Sequence, residues 1–423
     1  MLAAPYRPLT VSCQELAPNS QEPRWISYNE IHGPSHELAY NDHTERLCDE
    51  NEQNSTACAM VREPVSRTLR CICIVALSCV MVVVVVVVVS VVMYTTLVLK
   101  GVAGIKPCAK NLQLVYNPGC NRDAALCMRR YSDVSYATMH NAFATTQDGI
   151  VFAQHRACMR SALVQGIRGF MLDVHLTADG SLKLCHVFCK MGSVSLPRTL
   201  LMFAEFLDKN PREVVTIIWE ARYDARPDLQ EPERLQLQAL LGRAMLDAGL
   251  MKHLHVQPRG KAWPRLQNMI DSNRRLVSLT DLSSSSNEPW NMKVWEHAFD
   301  TPFYNEDVAD LERHCSVHRG SAGNKLFILN HFTIMGTLSV DTVGLGSVNN
   351  IVPVGAIQTI NTAPFIWDRV IACSECLGRF PNFVAVDFWE SSDVISVTQK
   401  LNAIAVGSIV EQPAQCARAN GGA

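Results

Sequence analysis

The sequence lacks a glycine-rich phosphate loop. No G-x-G-x-x-G or Walker pattern follows any strand-like run, which removes the main support for an open doubly wound sheet. It also lacks a surplus of either charge. With 38 Lys+Arg, 40 Asp+Glu and a formal charge of −2, there is no reason to expect nucleic acid as a partner. No second cysteine pair at finger-like spacing complements Cys373-x-x-Cys376, which argues against a structural zinc site. One stretch lacks charge altogether: the 29 residues from Cys71 to Leu99, including eight consecutive valines, Val82 to Val89. Such a run exceeds the roughly 20 residues needed to cross a bilayer. Polyvaline is a poor helix former in water, and the run lies too far from the N-terminus for a cleaved signal peptide. A single transmembrane helix is expected over 71–99.

Around it the composition changes. Residues 1–70 carry ten acidic and six basic residues, six prolines and no sustained apolar periodicity, which reads as a disordered tail. Arg62, Arg67 and Arg70 before the span are matched by Lys100, Lys106 and Lys110 after it, so the positive-inside rule gives no decision. Ten of the sixteen cysteines follow the span. An even number there is compatible with disulfides in an oxidising compartment, with reduced buried thiols as the alternative. The expectation is a single-pass membrane protein with a cytosolic tail and an extracellular or lumenal domain. The Asn54-Ser55-Thr56 sequon would then stay unmodified. Residues 100–117 read as a linker, 118–405 as the large domain and 406–423 as a C-terminal tail.

Past residue 107 strand-like and helix-like patterns alternate, the mark of an α/β fold. Strands are expected at Ser135 to Met139, Ile167 to Leu176, Leu182 to His186, Glu213 to Trp219, Arg275 to Thr280, Leu326 to Asn330 and Phe383 to Phe388. Helices are expected over 151–165, stopped by Gly166, and over Leu200 to Leu207, ended by Asn210-Pro211. A (β/α)8 TIM-like barrel is the best fit, an open doubly wound sheet the alternative. His140, Asp173, His186, Glu220, Asp281 and Asp387 all fall at or near strand ends, where a barrel carries its chemistry.

Two histidines can serve as general base and general acid, which is enough to cleave a phosphodiester without a covalent enzyme intermediate. His140 and His186 are the candidates. Strand alternation puts Met171, Asp173 and His175 on one face and Arg168, Phe170 and Leu172 on the other. Asn141, Asp173 and Glu220 supply three hard oxygen ligands of the kind Ca²⁺ or Mg²⁺ prefers. His155, His175, His297, His314, His318 and His331 read as structural histidines.

The order His140-Asn141-Ala142-Phe143, then Gly166-Ile167-Arg168-Gly169-Phe170-Met171-Leu172-Asp173, then Leu184-Cys185-His186, then Asn210-Pro211 leading to Glu220, resembles the X-domain of phosphatidylinositol-specific phospholipase C. The likeness spans roughly residues 118–405 and extends to Cys120 to Cys127 and Pro381 to Phe388, as in single-domain, cysteine-bearing proteins of fungi, oomycetes and plants. By that resemblance His140 would deprotonate an inositol 2-hydroxyl, His186 would protonate the leaving alkoxide, and Asp387 would orient His140. Asn141, Asp173 and Glu220 match positions that hold Ca²⁺ in the eukaryotic branch. Met171 stands where the Ca²⁺-dependent enzymes have a further glutamate, and Asp173 where the metal-independent bacterial enzymes have arginine. The chain thus has neither the full ligand set nor that arginine: Ca²⁺ is a candidate ion, Mg²⁺ a weaker one, and metal-independent catalysis is the alternative. Arg168 and Lys183 are the candidate substrate-binding cations, although Arg168 lies on the face opposite Asp173. No EF-hand, C2 or pleckstrin-type module accompanies the domain, and no protein partner is evident. The expected substrate is a phospholipid at a membrane. The alternatives are a glycerophosphodiester or sphingomyelin phosphodiesterase, and a catalytically inactive binding protein on the same barrel.

Overall fold

A computed structural model describes residues 77–93, 107–150, 153–186, 189–223, 229–282, 288, 290–334, 337–339, 347–349 and 354–404. The expected tails at 1–70 and 406–423 lie outside these. Residues 77–93 are helical with exposed side chains. Among the described residues no helix is long and apolar enough to cross a membrane. The two ends of the uncharged run, 71–76 and 94–99, are outside the described residues.

Among the described residues the large domain carries fourteen strands in chain order. They are β1 Tyr136–Met139, β2 Gly169–Leu176, β3 Leu182–Leu184, β4 Val194–Ser195, β5 Val215–Tyr223, β6 Leu254–His255 and β7 Leu276–Thr280. There follow β8 Met292–Lys293, β9 Ala298–Asp300, β10 Arg319–Gly320, β11 Leu326–His331, β12 Thr337–Ser339, β13 Ser347–Asn349 and β14 Phe383–Val386. A parallel ladder runs β9–β11–β14–β1–β2–β5–β7, with β6 and β8 both pairing β7. Helices cross over between the strands: Met159–Gln165 leads into β2, Leu196–Lys209 into β5, and Ala363–Leu377 into β14.

The sheet curls without closing. No ladder joins β8 to β9 among the described residues, so the expected closed eight-stranded barrel is corrected to a parallel α/β sheet open on one side. The cause is local. Two- and three-residue strands there are linked only by the four-residue helix Val294–His297, too short to cross over and restore a full ladder.

Strand alternation divides the core. Inside the curl lie Tyr136, Ile218, Val277, Leu279, Leu326, Ile328 and Phe383, floored by buried Tyr131 and Trp263, whose rings stack at 4.6 Å. Outside, Phe170, Leu172, Ile217, Phe327 and Val384 pack against the helices, as where Phe170 meets Phe203 edge-on at 5.0 Å. β1 and β2 approach closely: a Cβ at Gly169 would collide with the Thr138 side chain. Gly166, at φ 124°, ends the helix Met159–Gln165. That helix is shorter than the expected 151–165: residues 153–158 before it are irregular and end at the Cys108–Cys158 disulfide, and 151–152 lie outside the described residues.

Candidate active site

β1 and β14 pair in register from Tyr136↔Phe383 to Met139↔Val386. Parallel pairing one step further sets His140 beside Asp387 at the carboxyl ends of adjacent strands. His140 Nδ1 donates to Asp387 Oδ1 at 2.9 Å, and the carboxylate is only 3% exposed. The carboxylate accepts, so the proton sits on Nδ1 and Nε2 is left as the basic nitrogen. Phe332, following β11, lies flat on the His140 ring, with centroids 3.6 Å apart and planes 3° from parallel. His155 Nε2 donates to the His140 carbonyl from behind. Burial lowers the His155 pKa to about 4, so it stays neutral and structural, as its sequence context suggested.

The next strands bring up the acids. β2 and β5 pair Asp173 with Glu220 and His175 with Arg222, and neighbours in a parallel register share a face. Asp281 extends β7, its N–H donating to the Trp219 carbonyl at 3.1 Å. Arg222 pairs with Glu220 and, through Nη1 at 3.0 Å, with Asp281 Oδ2. Burial pushes the Asp173 carboxyl up to about 6, against the pull of Arg222 and His140. Asp281 is raised for the same first reason. Met171, Ile218, Val294, Trp295 and Ile328 line the cavity beside Glu220, Asp281, Asp300 and Arg319, so the mouth has an apolar wall as well as charge.

Asn141 adopts a left-handed backbone, φ 43°, a conformation asparagine tolerates better than most residues. That turn aims its amide at Asp173, with one amide atom 3.0 and 3.2 Å from the two carboxylate oxygens. As nitrogen it donates to both. As oxygen it would crowd three acceptors together, so the amide nitrogen faces the carboxylate. Asn141, Asp173, Glu220 and Asp281 place hard oxygen atoms at neighbouring strand ends, but Asp173, Glu220 and Asp281 do not gather into an ion-holding cluster among the described residues, and Arg222 already partners Glu220 and Asp281.

His186 needs a topological correction. The strand before it was expected to continue the barrel. Instead β3 pairs antiparallel with β2, Val174↔Leu184 and His175↔Lys183, and β4 pairs antiparallel with β3. The residues 177–181 between β2 and β3 are too few for a parallel crossover, so a hairpin forms. His186, 4% exposed, therefore comes from an excursion folded beside β2, where the register carries Cys185 to Asp173. Lys183 stands on the same hairpin opposite His175.

Arg168 is not part of this group. It precedes β2, five residues before Asp173 and thus about 16 Å from it along an extended strand. Its Nη2 pairs with Glu213 Oε2 at 2.6 Å, and its Nη1 donates to the Leu163 and Ile167 carbonyls at 2.8 and 2.7 Å. The guanidinium lies over Phe206. Its expected role in substrate binding is corrected to a buried ion pair at the amino end of the sheet.

Sequence reasoning missed Phe332 and Arg222. Arg222 shares parity with Glu220 on β5 and could have been nominated by alternation. Phe332 carried no local signal, since its partner ring is 192 positions away.

The cysteines resolve into Cys108–Cys158, Cys120–Cys127, Cys185–Cys189 and Cys315–Cys373 disulfides, and Cys376 is disulfide-bonded as well. The alternative of reduced buried thiols is set aside for these positions.

Comparison with known proteins follows the same lines. The family profile described as PI-PLC X 1 matches residues 126–402. A PI-PLC X domain-containing protein 1 from Arthroderma benhamiae is 26% identical over 299 residues, covering 67% of this chain and 90% of that protein. An uncharacterized secreted protein of the same fungus is 24% identical over 305 residues, covering 67% of this chain and 64% of that protein. Among solved structures, a phosphatidylinositol-specific phospholipase C from Staphylococcus aureus aligns at a TM-score of 0.41 with 11% identity, covering 67% of this chain and 96% of that one. With the family profile spanning 277 of its 423 residues, the chain belongs to the PI-PLC X family.

Proposed function

We propose that the chain is a phosphoric diester lyase or hydrolase cleaving a phosphoinositide-type lipid by two-histidine acid/base catalysis. The buried His140–Asp387 contact at the carboxyl ends of β1 and β14 carries this reading. Asp387 holds the Nδ1 proton, so Nε2 takes the proton from the attacking inositol 2-hydroxyl. That oxygen bonds to phosphorus as the bond to the lipid alkoxide breaks. His186 returns a proton to the leaving oxygen, and a cyclic phosphodiester results. Phe332 restrains the His140 ring.

Charge builds on the phosphoryl oxygens during the step. Asn141, Asp173 and Glu220 are the residues that would hold Ca²⁺, which when bound would neutralise that charge. Arg222 competes for Glu220 and is the cation that serves if no metal is used. The reading also includes an extracellular or lumenal location, supported by the disulfides and by a relative described as secreted. A membrane anchor over 71–99 is part of the proposal and rests on the uncharged run of the sequence alone.

The test uses the full chain on vesicles of phosphatidylinositol, with sphingomyelin and glycerophosphocholine for comparison, with and without chelator. Phosphatidylinositol turnover should fall at least about a thousandfold in His140→Ala and in His186→Ala. Turnover surviving both substitutions would sink the acid/base assignment. Turnover indifferent to chelator would transfer the neutralising role to Arg222, and preference for another diester would change the substrate. Protease protection of the tail in sealed vesicles tests the anchor.

A further inference from the structure

The β2–β3 hairpin gathers a second set of chemical groups next to the candidate acid. His175 on β2, Cys185 after β3 and Cys189 beyond it bring their ligand atoms within 4.8 Å of one another. His175 is 3% and Cys185 0% exposed, while Cys189 is partly buried, so the group is reached from the Cys189 side. The two sulfurs are joined as a disulfide across a separation of four residues. A disulfide sulfur is no ligand for a divalent ion, but two thiolates and an imidazole are the borderline-soft set that selects Zn²⁺. Bonds of about 2.3 Å to sulfur and 2.0 Å to nitrogen put tetrahedral ligand atoms about 3.3–3.8 Å apart. Movements of an ångström or so would bring these atoms to that spacing once the disulfide opens.

We propose that Cys185, Cys189 and His175 form a Zn²⁺ site unmasked by reduction. A small-molecule dithiol donates two electrons and two protons to the Cys185–Cys189 bond and becomes a cyclic disulfide. Zn²⁺ then displaces both thiol protons to solvent and takes two thiolates and one neutral ring nitrogen of His175, leaving a fourth position for water. The site bears on turnover because Cys185 and Cys189 bracket His186. Metal-held thiolates fix the segment carrying His186 differently from the disulfide. That consequence rests on His186 being the general acid; the metal site does not.

The experiment titrates the full chain with Co²⁺, a spectroscopic stand-in for Zn²⁺, after mild dithiol reduction and removal of the reductant. One equivalent should produce a thiolate-to-cobalt charge-transfer band that Zn²⁺ abolishes. The oxidised chain should produce none, and His175→Gln and Cys189→Ser should weaken binding at least about tenfold. A band that persists in a reduced Cys185→Ser/Cys189→Ser chain, or no band in the reduced parent, overturns the proposal. Alkylation mapping of the unsubstituted chain guards against variants that fail to fold. Zn²⁺ should protect Cys185 and Cys189 together, and protection of neither overturns the site. The two readings fail separately: if the acid/base assignment is wrong, the cobalt band is still present, whereas loss of the band leaves the activity of the oxidised chain untouched.

Discussion

Replacing Arg168 by methionine tests the division between a structural end and a chemical end of the sheet. The side chains of Arg168 and Glu213 are 4% and 6% exposed, joined at 2.6 Å through Nη2. The same guanidinium serves two buried carbonyls. Arg168→Met keeps the stem volume and removes every donor, so the Glu213 carboxylate is left in the core with its charge uncompensated. Breaking such a pair costs about 3–5 kcal/mol. Arg122 sits close enough for its guanidinium to feel both charges, so the lower end, about 3 kcal/mol, is expected. At about 2–4 °C per kcal/mol for a domain of this size, the melting temperature should drop by about 6–12 °C. The double variant Arg168→Met/Glu213→Leu removes both charges and should recover most of the loss, since an apolar pair of similar volume is often neutral. Calorimetry of the four chains gives the coupling energy, and vesicle kinetics give KM. The reasoning predicts unchanged KM in every chain that is folded at the assay temperature. A single variant that melts like the parent while its KM rises would refute it and return Arg168 to substrate binding.

Asp387→Asn should preserve the melting temperature but lower kcat about 10³–10⁴-fold, because the amide no longer fixes the His140 tautomer; undiminished kcat would remove Asp387 from the mechanism. Phe332→Leu frees the His140 ring and should cost about 10–100-fold in kcat with little change in KM, and a change confined to KM would make the ring a substrate contact instead. His331 is fully buried and its pKa is lowered to about 3, chiefly by burial. Below about 6.5 the unfolded chain binds a proton there that the folded chain refuses, so this contribution to stability is lost as pH falls through the window from 6.5 to 3. Between pH 7 and pH 5 that loss is about 2 kcal/mol, from 1.5 pH units at about 1.36 kcal/mol each. In His331→Gln the loss is absent, so the stability gap between the two chains should narrow by that amount in urea unfolding. A gap that holds constant across the window would show that His331 titrates normally.

All seven strands expected from local patterning lie where apolar or β-branched runs meet turn residues. So do the alternation of Met171, Asp173 and His175 and the helix stop at Gly166. These depend on neighbours within a few positions, which the sequence states directly. The family resemblance also nominated Asp387 as the partner of His140, although 247 residues separate them; local patterning by itself placed both only at strand ends.

Pairing direction and sheet closure were not legible in the same way. The period of a strand is two whether its partner runs parallel or antiparallel, so the run ending at His186 could not declare itself a hairpin arm. A strand's apolar content likewise does not say whether its far neighbour has enough length to close a ring, and here β8 and β9 do not. Arg168 carried a plausible chemistry, but its distance from Asp173 depends on which end of β2 faces the mouth, a property of the whole sheet. Ion pairs follow the same rule. Glu220 read as a metal ligand or a solvated strand end, and only the stacking of β2, β5 and β7 in register put Arg222 between it and Asp281. Local sequence determined which segments are strands and which residues carry chemistry at their ends. Tertiary structure alone decided which of those ends meet, because charge, hydrogen bonding and ring contact act through space at a few ångströms while the residues that make them are scattered along the chain.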